Sequence, residues 1–383
     1  MASRALGGNC IGAEKSKMEI PGKMKPWTIV TGPTVKTVGV RKYQGLQILR
    51  ITAASMVLLM HSTLYAHQRL DQHFRVWGAG QTGVDLFFVL SGFVMVYSSS
   101  KLLTDPNGWK IFARRRIIRI VPMYWIATSL KLIVLLFTAS YGLHSQFRVA
   151  NIIDSYLFLP SRNSEGSIVP VLDLGWTLNC EMFFYFLFTL ALFFRMNVYR
   201  FVGVVLILLA FFGFFRQPDW PAASFYLSTG FLQFFYGMVI ARVCQTSKNI
   251  PRHFALPLLG LGFLCLIGPW SSANQLHGMG NGLAAALIVY SMASLEDSLS
   301  RISGFVLYGA DASYVIYLFH PFIAPLAPVA FMKFHLLHPW LCVGCSVFLA
   351  LAAGCLIHHL IEAPITKWSQ IHVLIGSKKS IAR

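Results

Sequence analysis

The stretch RITAASMVLLMH, residues 50–61, decides the fold because it places two ionisable side chains on one strongly apolar segment. The segment covers about residues 46–66, which is long enough for a membrane-spanning helix. An arginine at the bilayer centre costs at least about 2.5 kcal/mol, so Arg50 and His61 are not expected there without a function. With a rise of about 1.5 Å per residue, His61 lies about 16 Å beyond Arg50 along the helix. The pair therefore predicts a functional site that extends through the membrane.

The composition of the whole chain indicates a membrane protein. Its 383 residues are 56% hydrophobic and 12% charged, with a mean hydropathy of +0.60, whereas ordinary soluble domains carry about 25% charged residues. We predict an all-α fold, a polytopic membrane helix bundle of about ten transmembrane helices. The apolar stretches cover about residues 46–66, 80–100, 117–140, 176–195, 201–215, 224–243, 254–270, 278–295, 304–331 and 339–361.

The distribution of basic residues predicts the orientation of the chain. With both termini in the cytoplasm, most of the 32 lysines and arginines lie on the cytoplasmic side. The opposite loops hold only Arg69, Arg75, Arg148, Arg162, Arg216 and Lys333. The net charge of +18 is then a consequence of topology and does not indicate nucleic-acid binding. We predict a multi-pass protein of the cell inner (plasma) membrane.

Three regions follow from these patterns. Residues 1–42 are predicted to be a disordered basic cytoplasmic tail, because this part mixes Gly, Lys, Pro and Thr and lacks an apolar core. Residues 43–370 form the membrane domain, and residues 371–383 form a cytoplasmic C-terminal tail. Cys342 and Cys345 form a CxxC pair inside an apolar span without a second pair, so no metal site is predicted.

Acidic residues also occur inside the predicted spans. Asp85 lies near the outer end of the second span, and Glu181 lies near the outer face of the span that begins at Trp176. Asp85 has a structural alternative, since an aspartate often caps the start of a helix. Glu181 lies about five residues into its helix beside a run of phenylalanines. These apolar surroundings disfavour a purely structural role for the carboxylate.

Four arginines enter the third span in the string FARRRIIRIVPMYW, residues 112–125. Spacing alone is compatible with a role in fixing topology. Arg116 and Arg119, however, are three residues apart on one helical face and are able to chelate a phosphate group. These arginines are Arg114, Arg115, Arg116 and Arg119.

Six blocks of this sequence, in the same order and with similar spacing, resemble the acyltransferase 3 family of integral-membrane acyltransferases. The resemblance covers about residues 43–370. Within the family, the chain is most similar to the bacterial exopolysaccharide O-acetyltransferases. In the last block, Ala363 stands where the family commonly has Arg or Lys. The blocks are the Arg50-x10-His61 pair, GVDLFFVLSGF (83–93), FARRRIIRIVPMYW (112–125), WTLNCEMFFY (176–185), ASYVIYLFHPF (312–322) and IEAPITKW (361–368).

The resemblance implies O-acyl transfer, most often of acetyl, from cytoplasmic acyl-CoA to a hydroxyl of a cell-surface or exported glycan. Acyl-CoA would act as a co-substrate, with no cofactor bound permanently. The implied partners are acyl-CoA, a glycan or lipid-linked saccharide, and membrane lipid. The residues assigned to acyl-CoA binding are Arg50, Arg115, Arg116 and Arg119; those assigned to acceptor binding are Trp176, Asn179, Tyr317 and His320.

The chemistry of ester formation agrees with these residue types. An alcohol needs a base to remove its proton, and a histidine with a pKa near 6.5 is suited to this task near neutral pH. We assign His61 as the base, with Glu181 or Asp85 orienting it or contacting sugar hydroxyls. His61 would either activate the acceptor or carry the acyl group as a transient acyl-imidazole, and the sequence leaves both routes open. Alternatively, His61 has only a structural role and packs between helices.

Two other functions remain compatible with the pattern. A transporter or flippase of sugars or anions also needs several spans with buried ionisable groups. Against it, the chain shows no internal repeat and no matched pair of broken helices. A non-catalytic partner in a polysaccharide-export complex would keep the fold but tolerate loss of His61.

Overall fold

The computed structural model describes residues 43–138, 148–247, 249–268, 275–299 and 302–369. The predicted N-terminal tail and the predicted C-terminal tail lie outside these residues. Within the described ranges the protein is built of helices and contains no β-strand, so the predicted all-helical class is confirmed.

Twelve α-helices account for most of the described residues. Short 3₁₀ turns precede α2, α3 and α7, and a π-helical turn over His358–Glu362 follows α12. The helices are α1 Gln44–Arg69, α2 Gly83–Ser98, α3 Gly108–Thr138, α4 Val149–Tyr156, α5 Gly175–Phe193, α6 Val198–Gly213, α7 Phe231–Thr246, α8 Arg252–Ile267, α9 Gln275–Ser294, α10 Gly304–Ile323, α11 Leu326–Lys333 and α12 Pro339–Ile357.

Among the described residues, seven helical segments are long and apolar enough to cross a membrane. They are built on α1, α2, α3, α5, α7, α10 with α11, and α12, together with the short helical turns next to them. Helices α6 and α8 are also apolar but have 16 residues each. The protein is therefore a multi-pass membrane protein.

The helices differ from the predicted spans at three places. Helix α3 begins at Gly108, so the arginines lie on the helix itself rather than in a loop before it. The predicted span over residues 304–331 is confirmed as one membrane-spanning segment, Gly304–Lys333, but it consists of two helices, because α10 ends at Ile323 and Pro325 precedes α11. The short helix α4 was not predicted, since its eight residues are too few for a span.

Contacts between helices fix their directions. Gly309 of α10 faces Ile51 of α1, and His320 faces His61 further along both helices, so α1 and α10 run in parallel. Helix α2 returns antiparallel to α1, because Gly83 at its start lies against Ala53. We call the end of the bundle where α1 begins at Gln44 the proximal end, and the opposite end the distal end.

Helices α2 and α7 cross at van der Waals distance through two glycines. A Cβ atom on Gly92 would lie 2.0 Å from the carbonyl oxygen of Phe234, and one on Gly237 would lie 2.0 Å from that of Val89. Small residues allow such close approach of membrane helices. The crossing fixes the distal halves of both helices, where Asp85 and Gln233 meet.

The start of α1 is held by an acidic cap from the end of α9. The two carboxylate oxygens of Glu296 accept hydrogen bonds from the backbone N–H groups of Gln44, at 2.6 Å, and Gly45, at 2.9 Å. A carboxylate at this position satisfies free N–H groups and complements the helix dipole. The cap anchors the helix that carries Arg50 and His61.

Candidate functional site

Two histidine rings meet in the distal half of the bundle. His61 of α1 and His320 of α10 have ring centroids 4.9 Å apart, with planes inclined by 57°. His61 is partly exposed, whereas His320 is fully buried. The parallel packing of α1 and α10 brings together two residues that are far apart in the sequence.

Contacts with backbone carbonyl groups determine which nitrogen of each ring carries the proton. His61 Nδ1 lies 2.9 Å from the carbonyl oxygen of Val57, and His320 Nδ1 lies 3.3 Å from that of Ile316. Because a carbonyl oxygen only accepts hydrogen bonds, each Nδ1 must carry the proton. A neutral ring then has its lone pair on Nε2, and His320 Nε2 is buried without a hydrogen-bond partner among the described residues.

Tyrosine and threonine side chains surround the histidine pair. The Tyr317 hydroxyl lies 2.9 Å from Thr177 Oγ1, and the Tyr317 ring lies 6.1 Å from that of His320. Tyr65, one turn beyond His61 on α1, has its ring 6.1 Å from that of His61. Tyr317 thus links α10 to the start of α5 beside the histidines.

An aspartate in the turn before α5 acts on His61 through its charge. Partial loss of hydration against the surrounding protein raises the pKa of the Asp173 carboxyl above its usual value, although part of the residue stays exposed. The charges of Lys131 and His61 oppose this rise. The negative charge of Asp173 therefore favours the protonated form of His61. The sequence analysis did not identify Asp173 as a site residue.

An arginine cluster lies on the proximal side of the histidines and consists of Arg50, Arg116 and Arg119. The Arg116 guanidinium stacks on Phe112, at 5.4 Å from the ring centroid, and on Tyr185, at 5.8 Å. It also donates to Ser98 Oγ at 3.4 Å. Arg119 is exposed, and its charge acts on both of the other arginines.

Three carboxylates act on Arg50 through their charges, and they come from α5, α10 and the π-helical turn. They are Asp311, Glu362 and Glu181. Arg50 itself donates a hydrogen bond to Gln47 at 3.3 Å. Charged side chains of α1, α5, α10 and the π-helical turn therefore lie close enough to interact around Arg50.

Two of these three carboxylates, Glu181 and Glu362, bond to groups other than the arginines. Glu181 accepts hydrogen bonds from Ser91, at 2.8 Å, and from Tyr185. Glu362 lies 2.5 Å from His358 Nδ1. The arginine N–H groups consequently keep capacity for an anionic ligand, which is the chemistry that guanidinium groups suit best.

A cavity opens at the distal ends of α2, α5, α7 and α9. Its volume is about 280 Å³, and Trp176, Asp85 and Gln233 line it. Gln233 Nε2 donates to Asp85 Oδ1, and its Oε1 is buried without a partner among the described residues. His61 does not line this cavity.

Comparison with known proteins decides what class of protein carries this site. Residues 43–359 match the model of an acyltransferase domain, Acyl_transf_3. The chain belongs to the acyltransferase 3 family. It is also 31% identical over 318 residues to the exopolysaccharide production protein ExoZ of Rhizobium meliloti strain 1021, which covers 79% of this chain and 94% of that protein. No solved structure matches significantly.

This acyltransferase 3 protein places its predicted site residues in three groups. His61, Tyr317 and His320 come together, as do Arg50, Arg116 and Arg119 with Glu181. Asp85 and Trp176 line the distal cavity. Glu181 was expected beside His61 or a sugar, but its hydrogen bonds join it to Ser91 and Tyr185 at the arginine cluster.

Two other predicted residues stand apart from these groups. Asn179 is buried, and its Oδ1 has no partner among the described residues, but it does not line the distal cavity. Arg115 is exposed and acts on Arg116 only through its charge. Among the described residues, no group of three or more His, Cys, Asp or Glu side chains is arranged to hold a metal ion.

Sequence reasoning missed Tyr185 and Gln233. Tyr185 follows Glu181 by four residues, so helical spacing was a signal that the two side chains share a face. Gln233 is a lone amide in the apolar string FLQFFYG of α7, and a polar side chain in such a segment calls for a partner. Its partner is Asp85, 148 residues away.

Proposed function

We propose that this membrane acyltransferase is an O-acyltransferase that transfers an acyl group, acetyl in the first instance, from cytoplasmic acyl-CoA to a hydroxyl of an exported or cell-surface glycan. The observation that carries the proposal is the arrangement along α1, where Arg50 joins the arginine cluster and His61 meets His320 further along the same helix. Similarity to ExoZ supports an exopolysaccharide as the acceptor.

The proposed topology has all ten predicted spans in the inner membrane and both termini in the cytoplasm. Helices α6 and α8 are about 24 Å long at about 1.5 Å per residue, which is slightly shorter than the hydrocarbon core. The excess of Lys and Arg on the side of the termini supports this orientation. The proximal end then faces the cytoplasm, where acyl-CoA is made.

The arginine cluster is the proposed acyl-CoA site. Coenzyme A carries several phosphate charges, and Arg116 and Arg119 would hold them from one face of α3 while Arg50 contacts a further phosphate or the acyl donor. Stacking on Phe112 and Tyr185 fixes the plane of the Arg116 guanidinium before the ligand arrives. Arg115, exposed on the same helix, adds positive charge at the entrance. Acyl-CoA is a co-substrate in this proposal.

His61 is the proposed general base. The acceptor hydroxyl oxygen attacks the thioester carbonyl carbon, and its proton moves to the lone pair on His61 Nε2. The C–S bond breaks as the C–O ester bond forms, and the imidazolium returns the proton to the leaving thiolate. Asp173 and the Val57 carbonyl stabilise the charged ring during this cycle.

His320 completes the reacting end of the site. Its buried Nε2 lone pair accepts a hydrogen bond from the acceptor hydroxyl, or from the protonated Nε2 of His61 after proton transfer. Tyr317, held by Thr177, fixes the position of the His320 ring. The pair gives the acceptor oxygen a defined place before the reaction.

An alternative route has the acyl group on His61 Nε2 as an acyl-imidazole. Incubation of the purified protein with radiolabelled acetyl-CoA in the absence of glycan distinguishes the two routes. A protein-bound label that is lost in the His61→Gln variant and passes to added glycan would show the covalent route. Direct transfer predicts no such label.

A carrier function makes a different prediction for the same protein. Membrane vesicles that contain the protein are given radiolabelled acetyl-CoA and de-acylated exopolysaccharide oligosaccharides. The proposed enzyme forms labelled, alkali-labile esters on the oligosaccharide. Movement of oligosaccharide across the membrane without ester formation would instead identify a transporter.

A further inference from the structure

Neither His61 nor His320 lines the distal cavity, yet the cavity has the features of a ligand site. Its volume of about 280 Å³ lies near the lower end of the range for small-molecule sites, which begins at about 300 Å³. Polar side chains from the 3₁₀ turn before α2, from α2, α7 and α9, and from the segment before α7 line it, together with an indole and apolar rings. These polar side chains are Gln81, Thr82, Asp85, Ser228, Thr229, Gln233 and Asn281.

The polar groups of the cavity favour a ligand that donates hydrogen bonds. Both N–H groups of the Gln233 amide are occupied, because Nε2 donates to Asp85 Oδ1 and, at 3.4 Å, to the carbonyl oxygen of Gly278. Its Oε1 has no partner among the described residues, although the side chain is only 2% exposed. A buried acceptor without a donor costs about 1–3 kcal/mol unless a ligand or water supplies one. The cavity therefore offers an unfilled acceptor to its occupant.

The charge of the cavity excludes the anionic donor substrate. Asp85 is the acidic group that lines it, and no lysine or arginine of the described part of the chain does. A polyphosphate would be repelled by a carboxylate that lacks a basic neighbour. The arginine cluster is the place for coenzyme A, so the distal cavity serves a different molecule.

We infer that the distal cavity binds one neutral sugar unit of the acceptor glycan, which deepens and rests on the proposed function. Sugar hydroxyls donate to Gln233 Oε1 and Asp85, and the apolar face of the sugar ring packs on Trp176. Asp85 thus becomes a binding residue rather than a partner of His61.

The cavity holds a sugar next to the one that reacts. Val84 lines the cavity and also packs against the cluster that contains Val57 and Tyr317. Val57 accepts the hydrogen bond of His61, and the Tyr317 ring lies 6.1 Å from that of His320. A sugar bound by Trp176 is therefore separated from His61 by one layer of side chains. The cavity selects an oligosaccharide acceptor and positions its neighbouring unit at the histidines.

The first test measures acceptor affinity in the purified full-length protein. The probe is a set of oligosaccharides from the host's own de-acylated exopolysaccharide, with acetyl-CoA as donor. Trp176→Ala is expected to raise the KM for oligosaccharide at least about tenfold and to leave the KM for acetyl-CoA unchanged. Trp340→Ala, at an exposed tryptophan of α12 outside the cavity, is the matched control. Equal KM values in both variants and the parent would overturn the proposal.

The second test measures binding without catalysis. Gln81 is exposed and lines the cavity, so Gln81→Cys is open to a membrane-impermeant maleimide. The oligosaccharide is expected to slow this modification severalfold and to leave that of Glu165→Cys, in an exposed loop, unchanged. Protection of Gln81→Cys without acyl transfer by the parent protein would retain the sugar site and reject the proposed enzyme. Transfer by the parent without protection would retain the enzyme and reject the sugar site.

Discussion

The most informative single atom in the site is Nε2 of His320. A buried ring nitrogen with a lone pair and no donor is destabilising on its own, by about 1–3 kcal/mol. Its ring faces the ring of His61, which is partly exposed. The two rings therefore have different roles. His61 is accessible to substrates, whereas His320 is held in place by α10.

Two substitutions at His320 separate its two nitrogens. His320→Asn keeps a donor near the position of Nδ1 for the Ile316 carbonyl but removes the Nε2 acceptor, whereas His320→Gln places an amide near Nε2. We expect kcat to fall about 10- to 100-fold in His320→Asn and to recover in part in His320→Gln. Steady-state kinetics at saturating acetyl-CoA measures kcat for both variants and the parent. A kcat in His320→Asn equal to that of His320→Gln and of the parent would show that Nε2 has no role in the mechanism.

Arg116 is the arginine whose geometry the protein fixes most firmly, by two aromatic rings. We expect Arg116→Ala to raise the KM for acetyl-CoA about tenfold or more while kcat changes less, because a phosphate contact is lost. Arg116→Lys should not restore the affinity, since an ammonium neither stacks nor donates in parallel. Lys110→Ala removes a charge from the exposed start of α3 and serves as the control. The same KM in Arg116→Ala and Lys110→Ala would return Arg116 to a role in topology.

At the scale of the helices, α1 connects the two ends of the site and the α2–α7 crossing shapes the distal cavity. The crossing leaves no room for a side chain, because a Cβ on Gly92 would lie 2.0 Å from a carbonyl oxygen that belongs to Phe234. Backbone atoms cannot move aside as the end of a flexible side chain does, so the helices would have to separate.

A glycine substitution tests the crossing. We expect Gly92→Ala to destabilise the detergent-solubilised protein by about 1–3 kcal/mol, as overpacking does, and to lower its Tm. Gly260→Ala in α8 is the control, since nothing lies within 4 Å of its added Cβ and alanine favours a helix. Thermal unfolding followed by circular dichroism measures both. A Tm for Gly92→Ala equal to that of Gly260→Ala would mean that α2 and α7 do not pack this closely.

The sequence predicted the elements better than their ends and turns. Apolar length predicted α1, α2 and α5 because such segments must satisfy their backbone groups internally. It did not predict the π-helical turn at His358–Glu362, which leaves Glu362 buried and acting on Arg50, because π turns depend on packing rather than on a residue pattern. Apolar length also predicted the span over residues 304–331, which is one membrane-spanning segment, Gly304–Lys333, but it did not predict that α10 and α11 divide this segment near Pro325.

The site was predictable where its residues share a helix and unpredictable where helices meet. Arg50 with His61, and Arg116 with Arg119, follow from helical spacing. The contacts of His61 with His320 and of Asp85 with Gln233 join helices that are distant in sequence, and no local pattern fixes them. The contact of Glu181 with Ser91 of α2 was not predicted for the same reason, since the depth of Glu181 alone did not indicate which helix faces it.

At the scale of the whole molecule, the account predicts that the two substrates use opposite sides of the membrane. In sealed proteoliposomes, acetyl-CoA is expected to act only from the side of the chain termini, and oligosaccharide only from the other. Purified protein reconstituted in both orientations, with each substrate placed inside or outside, measures this. Transfer with both substrates restricted to the side of the termini would show a site open to the cytoplasm alone.

The central claim is that His61 removes the proton of the acceptor hydroxyl. Its most direct test is the rate of radiolabelled acetyl transfer to oligosaccharide by purified His61→Gln protein, with Tm measured to show that the variant is folded. We expect the rate to fall by at least about 100-fold, the lower end for general-base catalysis, with the Tm close to that of the parent. A folded His61→Gln variant that transfers acetyl at the parent rate would contradict the account.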